Sequence, residues 1–267
     1  MSEFPPAEEP GPPRREPIFF IPPVIVVLIV ALVGLYALFD FASPATQDSA
    51  LRAFAFVPKR LTLALWLLRP LDILTRLDFA QPWTLLTYAF MHGSWTHVLL
   101  NSVWLVAFGP PVARRFGAAR FLAFFALTAA AGALAHWLFY QMDLAPVIGA
   151  SAADSGLMAA VTRFIFEPGA PLGSPQGYSL SAGEVDPFKP APSLARLLRE
   201  PRALGFIAIW MATNFVFGAG AQTLGASDAP VAWIAHVGGF AAGLLLFGLF
   251  DYGVGPAKRE KGALARD

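Results

Sequence analysis

The 267-residue sequence contains no cysteine, which excludes disulfides, thiolate chemistry and cysteine-based metal sites. It is also poor in charge: charged residues make up 14% and hydrophobic residues 56%, against about 25% charged in an ordinary soluble domain. So few charges cannot cover a soluble globule, and a chain this apolar is not a disordered one. The formal net charge of +1 leaves no basic footprint for nucleic acid. There is no HExxH, no two histidines stand four apart, and carboxylate partners are scarce, so a metal is not expected.

What is present is long apolar runs. Residues 18–39, 84–108, 203–221 and 229–250 carry no charge, 119–140 carry only Arg120, and 149–166 carry Asp154 and Arg163. Each run is long enough as helix to cross a hydrocarbon core of roughly 30 Å. The expected fold is therefore all-α, a polytopic bundle of six transmembrane helices over residues 18–250, because a backbone in lipid must satisfy its own hydrogen bonds. The first run is too long for a signal-peptide core and reads as an anchor of the mature chain. Fourteen of the 19 Lys and Arg residues fall in 1–17, 109–120, 163–202 and 251–267, and the other five in 40–83. The positive-inside rule then places both termini in the cytoplasm.

The proline-rich residues 1–17 read as a cytoplasmic tail, 251–267 as a second one, and the Pro/Gly-rich 167–202 as a long cytoplasmic loop. Within that loop Ser193 precedes Leu194, Leu197 and Leu198 and predicts a short capped amphipathic helix on the membrane surface. In the outer loop 40–83, the apolar run Leu61–Leu68 is too short to span.

Polar side chains at membrane depth are costly, so each one is a candidate for function. With Ser94 as a cap, His97 lies about 5 Å and Asn101 about 10 Å into the second helix, on one face because four residues separate them. His236 lies about 10 Å into the sixth, and Ser151 opens the fourth. A serine, two histidines and an asparagine can thus meet at similar depth. A neutral imidazole can take the Ser151 proton and return it to a leaving amine. The Asn101 amide, the His97 ring and the Ser151 backbone N–H are candidate donors to an oxyanion. The small face Gly149, Ser151, Ala152, Ser155, Gly156 and the pair Gly239/Gly243 would let the fourth and sixth helices approach closely. Taken singly, each of these residues has a plainer reading, as packing or as polar glue between helices. Asp154, three residues after Ser151, suggests a third member of a triad or a protonated structural acid.

Three motifs carry a resemblance. Met91-His92-Gly93-Ser94 leads into His97-x3-Asn101; Gly149-Ala150-Ser151 is a GxS; Ala235-His236-Val237-Gly238-Gly239 with Gly243 is an AHxxGxxxG. In this order, on the second, fourth and sixth helices, they resemble the rhomboid family of intramembrane serine proteases over about 83–250. The resemblance implies a six-helix rhomboid-like bundle, Ser151 as nucleophile, His236 as general base, and oxyanion support from His97 and Asn101. It also implies hydrolysis of peptide bonds in or near transmembrane segments of other membrane proteins, a bilayer around the enzyme, and no metal or cofactor. The family pattern is a dyad, without Asp154. Three positions depart from it: Ala152 stands for the usual glycine, Ser155 for an aromatic, and Trp83-Thr84 for a Trp-Arg pair.

The expected protein is a multi-pass integral membrane protease of a bacterial cytoplasmic membrane. Two rivals are an inactive rhomboid-like protein that escorts membrane clients and a small transporter or channel. The second needs polar residues continuing to the inner side, where Asn214 and Arg163 are nearly alone.

Overall fold

The computed structural model describes residues 21–66, 80–166, 191–219 and 232–251. The expected tail at 1–17, the expected tail at 251–267 apart from Asp251, and most of the 167–202 loop lie outside the described residues. Among those described, the chain is helical and has no strand; one isolated antiparallel bridge joins Phe56 and Val147.

Every charge-poor run holds a helix, although not always with the expected bounds. Helix α1 is Pro23–Asp40; α2 (Pro44–Phe54) and α3 (Pro58–Trp66) follow in the outer loop; α4 is Trp95–Phe116 and α5 Ala118–Phe139; α6 is Ser151–Thr162, α7 Pro201–Ala219 and α8 Trp233–Phe250. Helices α1, α4, α5 and α8 are long and apolar enough to cross a membrane.

Two runs differ from expectation in ways that matter for function. Residues 84–108 are not one helix. A helical turn Thr84–Thr87 and a 3-10 turn Tyr88–Phe90 precede a break, and α4 then starts at Ser94, whose side chain accepts from the His97 N–H. Helix α4 runs on through Pro110 and Pro111 to Phe116. The expected cytoplasmic loop 109–120 thus shrinks to Gly117, the only residue between α4 and α5.

The second is α6, which has 12 residues and is about 18 Å long at 1.5 Å per residue. That is well short of a hydrocarbon core of roughly 30 Å, so one end of α6 must lie inside the thickness that the longer helices span. Helix α6 is also the most enclosed: every residue from Ala152 to Thr162 is buried. It packs against α4, α5 and α8.

The small residues act as expected. A β-carbon on Gly239 would strike the backbone of Ala152, one on Gly243 would strike the backbone carbonyl of Gly156, and one on Gly132 would lie 2.5 Å from the Ala152 β-carbon. The α6 and α8 backbones therefore touch along the Gly239/Gly243 face. Gly239→Ala is expected to push the two helices apart and to lower stability by about 1–3 kcal/mol, the usual cost of overpacking; the midpoint of thermal unfolding in detergent measures it.

The end of the bundle opposite Ser151 is tied by charge. Arg115 near the end of α4 meets Asp251 just after α8 through two bonds, Nε–Oδ1 2.5 Å and Nη2–Oδ2 2.8 Å. Arg163 after α6 donates to the carbonyls of Leu244 and Pro192. At the other end the outer loop is pinned to α5: Thr62 Oγ1 donates to the Gln141 carbonyl and accepts from Trp137 Nε1. Trp83 Nε1 donates to the Ala53 carbonyl. The expected cap at Ser193 is present: its side chain accepts from the Arg196 N–H and opens a four-residue helix Leu194–Leu197, with Leu197 buried.

Candidate functional site

Ser151 is the first residue of α6 and is half-buried. The first N–H groups of a helix have no partner within it, and here the preceding residue, Ala150, supplies no side-chain cap. The first N–H bonded back within this turn is that of Asp154, to the Ala150 carbonyl. An uncapped helix start carries partial positive charge and open donors, which suits an anion. Ser155 Oγ donates to the Ser151 carbonyl, 2.8 Å, so it is turned along its own helix. Among the described residues, Ser151 Oγ takes no hydrogen bond.

His97 and Asn101 arrive from α4 on the side of Gly149. This glycine has φ +110, a conformation that side chains with a β-carbon rarely adopt. A β-carbon there would lie 2.5 Å from His97 Nε2 and 3.4 Å from Asn101 Nδ2. The space that Gly149 leaves empty therefore holds the His97 ring, two residues before Ser151. The Gly149 N–H donates to the Tyr88 carbonyl, and the Phe56–Val147 bridge fixes the strap that leads to it.

Asn101 is itself held. Its Nδ2 lies 2.9 Å from His92 Nε2. An amide nitrogen only donates, so His92 accepts at Nε2. Burial pushes the His92 imidazole down to about 4, which keeps the ring neutral and able to accept at pH 7. That leaves the second Asn101 N–H free to point elsewhere. The His92 and His97 rings meet edge to face at 5.0 Å. His92 thus holds Asn101; its position just before the HxxxN motif is the signal that the sequence offers.

His236 reaches the same level from α8. It stands one turn before Gly239, whose β-carbon would strike the backbone of Ala152, so His236 lies one turn of α8 from the contact made by the residue that follows Ser151. His97 and His136 are within electrostatic reach of its ring. His236 Nδ1 lies 2.7 Å from Asn214 Oδ1 on α7. The other end of that amide fixes the protons. Asn214 Nδ2 donates to the Trp233 carbonyl, 3.2 Å, and a carbonyl only accepts, so Oδ1 is the atom that faces His236. His236 therefore donates from Nδ1, and in the neutral ring Nε2 carries the lone pair. Residue-by-residue reading of the sequence had no means of finding this partner.

Asp154 does not join the set. It is 3% exposed and both carboxylate oxygens are buried without a hydrogen-bond partner, while the His236 nitrogen that a triad acid would occupy is bonded to Asn214. His136 is buried, with its ring 4.8 Å from that of Tyr140. No group of three or more potential metal ligands occurs among the described residues.

Residues 80–179 match the family model described as Rhomboid domain. The chain is 27% identical over 179 residues to "RHOMBOID-like protein 5" of Arabidopsis thaliana, covering 59% of this chain and 58% of that one. It is 36% identical over 75 residues to "Putative rhomboid protease YdcA" of Bacillus subtilis (strain 168), covering 28% of this chain and 37% of that one. The chain thus spans less than two thirds of either relative. The matched domain includes His97, Asn101, Gly149 and Ser151; His236 lies beyond it and is joined to them by the packing of α8 on α6.

Proposed function

The chain belongs to the rhomboid family, and from that premise we propose that it is an intramembrane serine endopeptidase that hydrolyses peptide bonds in or near transmembrane segments of other membrane proteins. One observation carries the reading: the uncapped start of α6 at Ser151 is packed through Ala152 against the turn of α8 that follows His236, with His97 and Asn101 over the adjoining Gly149. In this mechanism Ser151 Oγ attacks the scissile carbonyl carbon while His236 Nε2 takes the hydroxyl proton. The oxyanion forms beside the open N–H groups of the α6 start, the second Asn101 N–H and the His97 ring. Collapse breaks the C–N bond, and the proton on His236 goes to the leaving amine. A water molecule, deprotonated by the same nitrogen, then releases the acyl group from Ser151.

Depth supports a membrane substrate. A helix of about 18 Å, too short for the thickness crossed by its neighbours, supports a Ser151 that lies below the membrane surface, where an extended substrate backbone can be stripped of water. The domain plan follows: a membrane core over 18–250 with 40–83 outside, and the 1–17 tail, 167–202 loop and 251–267 tail inside. The biased placement of Lys and Arg supports cytoplasmic termini, and the compact Ala- and Arg-rich chain suggests a bacterial cytoplasmic membrane. The mechanism uses no metal or cofactor.

A second reading, a client-binding protein without activity, is favoured by Ala152 and by the free Ser151 hydroxyl. A fluorophosphonate probe separates the two. The protease is expected to be labelled at Ser151, located by mass spectrometry of the modified peptide. An unlabelled, folded protein would favour the binding role.

A further inference from the structure

The Asn214 side chain does more than fill the α7–α8 interface. Helices α7 and α8 run in opposite directions and share a register: Trp210 stacks on Phe240, ring centroids 4.1 Å apart. One turn later on α7 and one turn earlier on α8, Asn214 meets His236 at 2.7 Å. Two contacts four residues apart on each helix fix the side-chain pair through the backbones that carry it. Asn214 is 9% exposed, both ends of its amide are engaged, and the carbonyl partner at Trp233 belongs to the same turn of α8 as His236. The amide therefore cannot flip without facing a donor to a donor and an acceptor to an acceptor. No other side chain is bonded to the His236 ring among the described residues, because Ser155 is spent on its own helix and Asp154 has no partner.

We propose that Asn214 is a positioning residue for the reaction: its amide oxygen holds His236 in the tautomer that leaves Nε2 as the base and receives the Nδ1–H bond more strongly as the ring becomes charged. The inference rests on the protease reading. An orienting group of this kind acts on the chemical step and hardly on substrate capture, because it touches the base and not the substrate.

The test measures kcat and KM for a model transmembrane substrate reconstituted with the full chain. Asn214→Leu, of similar volume but without an acceptor, is expected to lower kcat about 10–100-fold, part of the 10²–10⁴ that a general base supplies, with KM changed by less than about twofold. Asn214→Asp keeps an acceptor oxygen in the same place and is expected to recover most of kcat, a rescue that a purely structural role does not predict. If Asn214→Leu does not fold, Asn214→Val is read in the same way. Wild-type kcat in the folded Leu or Val variant, a loss confined to KM, or an Asp variant as slow as Leu each overturns the proposal. Ser151→Ala is the control: if it still cleaves, the protease reading falls and this inference with it; if it is inert while Asn214→Leu is fully active, only the inference falls.

Discussion

Ser151→Ala and His236→Ala are each expected to reduce kcat for a model transmembrane substrate by roughly 10⁴-fold or more, and the double variant to be no slower than the worse single one. In soluble serine proteases members of such a unit are strongly non-additive, with losses of order 10⁶ for the nucleophile or base alone. The reason is mechanistic. A serine without its base is a poor nucleophile, and a base without its serine has no proton to take. What remains is the catalysis offered by the oxyanion donors and by substrate positioning, about 10³–10⁴ over water in the soluble case. Here those donors, at the start of α6 and on α4, are untouched by either substitution. The measurement is initial cleavage rate, with thermal unfolding to establish that the folded fraction is unchanged. Additive losses, or cleavage that survives either change, would rule out a Ser151–His236 unit.

Gly149→Ala is expected to slow cleavage by a smaller but still large factor, although position 149 has no side chain of its own. Two penalties coincide there. The backbone φ of +110 is one that residues with a β-carbon occupy at a cost of about 1–3 kcal/mol. The new methyl would also lie 2.5 Å from His97 Nε2, so His97 must move or the strap leading to Ser151 must. Either shift displaces an oxyanion donor from a nucleophile two residues away. Losing one such donor lowers kcat by about 10²–10³-fold, and a fall of that size with KM little changed is the expected kinetic result. The contrast with Gly239→Ala is informative. At Gly239 the neighbour is the Ala152 backbone, so the loss should appear mainly in the unfolding midpoint; at Gly149 it should appear mainly in kcat.

Much of this was legible in the sequence. The gaps between charges mark where the helices are, because a charged side chain cannot be left in lipid. Ser94 and Ser193 announce helix starts through a local rule, a hydroxyl two or three residues before the N–H groups it caps. The spacing of His97 and Asn101 and the small faces around Gly149 and Gly239 are periodicities, and the structure places those faces together. Other features differ from the expected ones for one reason. An apolar run of 18 residues permits a spanning helix without requiring one, so hydropathy could not reveal that α6 stops at 12 residues or that the 84–108 run breaks before Ser94. The start of α6 at Ser151 follows the strap at 141–150, which is held to Phe56 and Tyr88, and those contacts are distant in sequence.

Asp154 and Asn214 mark the boundary most clearly. By spacing, Asp154 lies near Ser151 and invites a triad; by packing, its carboxylate is buried without a hydrogen-bond partner. By spacing, Asn214 is an isolated polar residue in an apolar helix; by packing, it is the partner of His236. The sequence alone determined which residue types lie at membrane depth, which helices can approach closely and which chemistry a serine, two histidines and an asparagine could perform. The tertiary structure decided which nitrogen of His236 carries the proton, which neighbour holds Asn101, and that the acid beside Ser151 is left out. Helical period and charge are properties of one segment. A hydrogen bond between two helices depends on their relative register and rotation, which are set by every other contact in the bundle.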